Sequence, residues 1–133
     1  TADWHLFIAD ESALPATFAM TEALPPGSTA TLIIEIPEED DEQDLSSVAA
    51  TRISWLHRLG SPAGDPALLA AEAEDVEFPV GRGHAYLFGE AKVVSRLREI
   101  LAGRGLSEDQ VSPKAYWGRG RANASHGEPA RDA

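Results

Sequence analysis

Four short polar segments of this chain each close an apolar run: Asp10-Glu11-Ser12-Ala13, Glu35-Ile36-Pro37, His57-Arg58 and Gly89-Glu90. Carboxylates, a hydroxyl and a guanidinium held at the ends of buried runs are already part-way ordered for binding. The first and last segments also open predicted helices, whose free N–H groups attract phosphate or carboxylate. Every one of these residues has a purely local use as well. Asp10 and Ser12 are good helix caps, Gly89 permits a tight turn, and Arg58 fits an ordinary charged surface. A second set is basic. Lys114, Arg119 and Arg121 lie in the stretch from Gln110 to Arg121, which holds no acid.

Motifs that would name a reaction outright are missing. The sequence has no G-x-G-x-x-G, no G-x-x-x-x-G-K-[ST] and no G-x-S-x-G, so it carries no ordinary dinucleotide fingerprint, P-loop or hydrolase elbow. Cysteine is absent, which removes disulfides, zinc–thiolate sites, iron–sulfur clusters and thiol nucleophiles. His5, His57, His84 and His126 lack metal-ligand spacing, and no metal site is expected. Residues 37–44 hold six acids in eight positions, without the alternating ligands and central glycine of an EF-hand loop. That run reads as a solvated loop that aids solubility.

The elements that must position these groups alternate. Residues 4–9 (WHLFIA) read as a buried strand and residues 16–24 as a helix ended by Pro25-Pro26-Gly27. Residues 29–36 form a second strand, apolar on both faces at Leu32-Ile33-Ile34, as suits a parallel strand covered on both sides. A third strand is expected over 52–56, a helix over 66–74, a fourth strand over 84–88 and a fifth over 110–117. The helix over 90–102 is the clearest, with Val93, Val94, Leu97, Ile100 and Leu101 on one stripe and Gly103 placed to stop it. This alternation predicts an α/β fold: a parallel sheet, helices on both faces and right-handed crossovers. Such sheets bind ligands beyond the C-terminal ends of their strands, at the point where strand order reverses. The four polar segments fall at those ends.

At 133 residues, with 43% apolar and 25% charged residues, the chain has the size and composition of one globular domain. We read residues 1–122 as that domain and 123–133 as a flexible polar tail. A net charge of −11 argues against a nucleic-acid partner. Residues 1–81 carry sixteen acids against Arg52 and Arg58, whereas residues 82–133 carry nine bases against six acids. The basic set therefore reads as a candidate anion-facing surface on an acidic body, or as ordinary solvated surface charge. No apolar run approaches a membrane span and no leader is visible, so no membrane insertion is expected. With cysteine absent, a cytoplasmic location is expected. Because the first residue is Thr1, the sequence reads as cut from something longer.

Four segments together resemble the C-terminal half of the siderophore-interacting protein family. They are WHLFIADESALPA (4–16), ISWLHR (53–58), AYLFGEAKVVSRLREIL (85–101) and VSPKAYWGRGRANASHGEP (111–129). The family pattern is similar: a strand leading into D-E-[TS]-A-L-P-A, a W-L-x-R segment, a W/Y-x-x-G-E turn and a closing Y-W-x-x-G-R. The last two are the more specific. Members are flavin-dependent ferric-siderophore reductases of the ferredoxin–NADP reductase-like superfamily. The resemblance implies a three-layer sandwich, a five-stranded parallel sheet of order 3-2-1-4-5. It also implies an N-terminal barrel that binds FAD and a C-terminal half that binds NADPH or NADH. Hydride passes to the flavin, electrons pass to a ferric siderophore, and ferrous iron is released. The barrel and its R-x-Y-[TS] signature are absent here. The chain thus resembles the nicotinamide-binding half alone, with no catalytic residue of its own, and would not reduce ferric siderophores unaided.

Roles follow from that resemblance. Asp10, Glu11, Ser12 and Ala13 would lie near the nicotinamide and pyrophosphate, with Gly89 and Glu90 facing them. His57 and Arg58 would lie near the adenosine ribose, where Arg58 would meet a 2′-phosphate. Glu35 would instead accept from a ribose hydroxyl, so NADH and NADPH both stay open. Lys114, Arg119 and Arg121 would draw an anionic ferric siderophore toward the flavin edge, and Tyr116 and Trp117 would cover the flavin or pack the strand end. Gly118 stands where many relatives carry a charged or bulky residue. A second reading is a stand-alone module that docks on a siderophore or a partner reductase without chemistry. In either reading deletion of acidic loop 37–44 is expected to leave nucleotide affinity unchanged. A response-regulator-like domain would need an aspartate ending strand three, and that strand ends in Leu56-His57-Arg58.

Overall fold

Apolar residues on both faces of the central strands decide the layering. In the computed structural model, which describes residues 2–47 and 49–118, the elements follow in order. They are β1 (Trp4–Asp10), α1 (Leu14–Glu22), β2 (Thr29–Ile36), β3 (Ala50–His57), α2 (Ala67–Asp75), β4 (Gly83–Glu90), α3 (Ala91–Gly103) and β5 (Val111–Trp117). Every neighbouring pair of strands is parallel, and the sheet order is β3-β2-β1-β4-β5. Strand order reverses between β1 and β4. Arg119, Arg121 and the tail over 123–133 lie outside the described residues.

Alternate residues of the strands serve two cores. Leu6, Ile8, Ile33, Ala85 and Leu87 pack under Leu69 and Ala73 of α2 and the whole stripe of α3. On the opposite face Phe7, Ala9, Leu32, Ile34, Ile36 and Phe88 pack under Leu14 and Phe18 of α1. This is the three-layer arrangement that the alternating sequence requires. No helix among the described residues is long and apolar enough to cross a membrane.

Several boundaries differ from expectation, each for a local reason. Helix α1 starts at Leu14, two residues early, because a 3-10 turn at Glu11–Ala13 delivers the chain into it and Pro15 sits in its first turn. There the missing proline N–H costs nothing. Strand β3 is longer than expected, since its register with β2 runs unbroken from Thr29↔Ala50 to Ile36↔His57. Strand β4 extends through Gly89 and Glu90. Between β2 and β3 the crossover has no α-helix, only an exposed 3-10 turn at Glu39–Asp41. The acidic run is nonetheless tethered. Glu42 bonds His57 Nε2 at 2.8 Å, and Ser47 Oγ donates to the Thr21 carbonyl at 3.3 Å.

Helix α3 is stopped by Gly105, not Gly103. Gly105 has φ +99, its N–H donates to the Ala102 carbonyl at 3.0 Å, and the Leu106 N–H donates to Leu101 at 3.1 Å. These two bonds form a Schellman cap, and Leu101 and Leu106 share the core beneath it. Gly103 remains helical, with open space where a Cβ would stand. Gly105→Ala should therefore lower stability by about 1 kcal/mol. Gly103→Ala should raise it by roughly 0.5 to 1 kcal/mol. Urea unfolding of the two variants checks both signs at once.

Candidate functional site

The register sets the site. Asp10 pairs with Glu35 across β1 and β2, and Ala9 pairs with Phe88 across β1 and β4, one residue before Gly89. Side chains from β1, β2, β4 and β5 thus meet at the C-terminal end of the sheet, around the β1–β4 reversal.

Asp10 is the hub of the first group. Its Oδ1 accepts from the Ser12 N–H at 2.9 Å and from the Ser12 hydroxyl. Its Oδ2 accepts from Trp117 Nε1 at 2.9 Å. That bond crosses β4 at Gly89, which has φ +142. A Cβ on Gly89 would stand 3.0 Å from Asp10 Oδ2, so the residue must be glycine for the carboxylate to reach over. A bulge helps from the other side: Gly89 pairs with Ala115, but Glu90 pairs with Trp117, and Tyr116 is skipped. Bulges re-aim side chains, and here Trp117 turns toward Asp10. Burial raises the Asp10 carboxyl above its usual range, against the opposing pull of the Ser12 and Trp117 hydrogen bonds.

Arg58 organises the second group. Its guanidinium forks onto Glu11, with Nη1 to Oε1 at 2.8 Å and Nη2 to Oε2 at 2.6 Å, while Nη1 also donates to Glu35 Oε2 at 3.0 Å. The Arg58 and Glu35 side chains are 9% and 3% exposed, and that of Glu11 is 40% exposed. The turn that aims Arg58 is strained: the next residue, Leu59, has φ +51 and its N–H donates to the Pro37 carbonyl at 3.0 Å. Burial raises the Glu35 carboxyl despite Arg58. For Glu11 burial pushes upward too, but the hydrogen bonds and charge of Arg58 outweigh it and hold the carboxyl low. The Glu11 and Glu35 carboxylates in turn hold Arg58 firmly protonated.

The remaining residues stand apart from these two groups. Glu90 is buried, and its Oε1 accepts from the N–H groups of Lys92 and Val93, so α3 is capped by its own carboxylate. Ala13 is buried in the core with Phe7 and Leu14. His57 is bonded to Glu42. Tyr116 packs edge-on against Phe88, and Lys114 is exposed with its ammonium 5.5 Å from the Tyr116 ring centre.

Comparison with known proteins follows this geometry. The sequence profile described as "Siderophore-interacting protein" matches residues 2–120. The chain belongs to the siderophore-interacting protein family. The solved siderophore utilization protein from T. fusca superposes with a TM-score of 0.87 at 36% identity, covering 96% of this chain and 49% of that one. The siderophore-interacting protein SipS from Aeromonas hydrophila gives 0.74 at 27% identity, covering 89% and 52%. The ferric vibriobactin reductase ViuB of Vibrio cholerae is 30% identical over 96% of this chain and 47% of that protein. The chain spans about half the length of the curated relatives it matches.

Two features of the site escaped the sequence reading. One is a small cavity of about 120 Å³ beside Arg58 and Glu35, lined also by Ser61, Asp65 and Leu68. Its signal was Asp65, an acid just before a helix, whose Oδ1 accepts from the Ala67 N–H at 2.9 Å. The other is Lys92, an exposed cation in the first turn of α3. A cation there opposes the helix dipole, and the Glu90 carboxylate that caps the same turn offsets it.

Two outcomes follow from the hydrogen-bonded groups. Gly89→Ala should displace Asp10, break the Trp117 bond and cost roughly 1 to 3 kcal/mol. The Trp117 indole N–H resonance should move as it does on an Asp10→Ala change, which unfolding and proton NMR together test. Arg58→Met should cost about 3 to 5 kcal/mol at pH 7, because Glu35 is left charged and buried without its partner. Glu35 then has a folded-state pKa raised further above its unfolded value. A raised carboxyl stabilises the fold below its unfolded pKa, and that stabilisation is lost as pH rises through the folded value. The deficit of the variant should therefore shrink between pH 7 and pH 5, read by urea unfolding at both.

Proposed function

We propose that this chain is the nicotinamide-nucleotide-binding half of a flavin-dependent ferric-siderophore reductase that serves iron acquisition. The observation that carries this reading is the β1–β4 reversal, where Asp10, the exposed Ser12 and Gly89 come together at the strand ends. Open parallel sheets bind nucleotides at such a point. Support also comes from family membership and from likeness to a protein named as a ferric vibriobactin reductase.

The residues present fit such a nucleotide in their donor and acceptor chemistry. Its carboxamide and ribose hydroxyls donate, and the strand ends offer the outer face of the Glu11 carboxylate and the exposed Ser12 hydroxyl oxygen as acceptors. Lys92, in the first turn of α3, meets the pyrophosphate in place of the helix N–H groups that Glu90 already occupies. A bound nicotinamide supplies hydride to a flavin; FAD itself is held mainly by a barrel that belongs to the other half of the full-length protein. Asp10 and Trp117 fix the end of β5 against β1, so the floor under the ring stays rigid. Of the basic set read from the sequence, Lys114 lies among the described residues, and its exposed ammonium would draw an anionic ferric siderophore toward the flavin edge. Tyr116 and Trp117 close that edge.

Titration of this chain with NADH and NADPH, followed by amide chemical shifts, tests the reading. Saturable shifts at Ser12, Gly89 and Lys92 are expected. Absence of saturable shifts with both nucleotides, together with shifts at Lys114 on adding an iron-free siderophore, would make the chain a docking module instead.

A further inference from the structure

The end of the sheet near β2 and β3 offers little to a second phosphate. The charged donors there, and the first N–H of α2, already hold carboxylates. Arg58 is forked by Glu11 and shared with Glu35, His57 is bonded to Glu42, and the N-terminus of α2 is capped by Asp65. The cavity beside Arg58 is lined by two carboxylates, Glu35 and Asp65, against the one guanidinium. An NADPH 2′-phosphate brings further negative charge to such a wall, whereas a 2′-hydroxyl brings a donor that a carboxylate accepts.

Arg58 is also not free to change partners. Turning it toward a phosphate would strip Glu35, which is nearly fully buried and whose side chain has no other recorded hydrogen-bond partner among the described residues. A buried carboxylate robbed of its cation is costly. Glu11 is the exposed member of the trio, so its outer face is what a ligand meets.

We propose that this chain takes NADH in preference to NADPH, and that Glu11 sets the choice by presenting its own carboxylate to the ribose 2′ position. The inference rests on the nucleotide reading above. Arg58 stays with Glu35 in either case, so the charge of Glu11 itself is what turns a 2′-phosphate away. Neutralising it should relax the selection without dismantling the fold, because a glutamine oxygen still accepts from Arg58 and Glu35 keeps its cation.

Calorimetric titration of the wild-type chain and of Glu11→Gln with NADH and with NADPH tests this. The wild type should bind NADH roughly ten-fold or more tightly than NADPH, the scale of one unfavourable charge contact. In Glu11→Gln the ratio should fall to about three-fold or less through a gain in NADPH affinity. Equal or tighter binding of NADPH by the wild type overturns the preference while leaving the nucleotide reading standing. An unchanged ratio in the variant overturns the role of Glu11. Binding of neither nucleotide overturns the nucleotide reading and this inference with it.

Discussion

A buried carboxylate stands at or next to the end of each of the three central strands. Asp10 is the last residue of β1, Glu35 the last but one of β2 and Glu90 the last of β4, at 6%, 2% and 2% exposure. A charge taken out of water must find donors or the fold loses several kcal/mol. The whole C-terminal end of the sheet is arranged to supply them. Ser12 and the first 3-10 turn serve Asp10 from the front, and Trp117 serves it from two strands away. Arg58 serves Glu35 from the far end of β3, and the first turn of α3 serves Glu90. Where α1 begins, where α3 begins and how β5 ends are all consequences of that one requirement.

The same requirement sets the chemistry available. A strand-end crevice usually attracts anions through helix N-termini and free arginines. Here those attractors are largely satisfied from within, by Asp65 on α2, Glu90 on α3 and two glutamates on Arg58. What remains exposed is a mixed rim: carboxylate surface at Glu11 and ammonium groups at Lys92 and Lys114. Such a rim discriminates by where a ligand carries donors and where it carries charge, rather than by net attraction. The internal pairs also stiffen the floor, since each strand end is bonded to another element.

Much of the fold was legible because it depends on local periodicity. The stripe of α3 and the two-faced apolar centre of β2 are read from a few adjacent residues, and both appear where expected. Boundaries failed where packing chooses between equal local signals. Gly103 and Gly105 could each end α3, and the packing of Leu106 with Leu101 selects the second. The site was legible as a list of strand ends but not as a pairing. Arg58 and Glu35 looked like rival ligands for two cofactors, yet they are bonded to each other, 23 residues apart. Asp10 and Trp117 are 107 residues apart. Periodicity carries no information at such separations, and only the register of the sheet brings those residues together.

That register also explains why four scattered segments carry the family resemblance. The D-E-S-A-L-P segment holds Asp10, Glu11 and Ser12; the W-L-H-R segment holds Arg58; the Y-L-F-G-E segment holds Gly89 and Glu90; the Y-W segment holds Trp117. In the folded chain Glu11 bonds Arg58, Asp10 bonds Trp117, and the path between those two lies over the bare backbone of Gly89. Loss of Arg58, Ser12 or Trp117 would leave a buried carboxylate short of a donor, and a side chain at Gly89 would block the path of one. The segments therefore behave as one hydrogen-bonded unit written in four pieces, whose order along the chain is set by the β3-β2-β1-β4-β5 sheet that joins them.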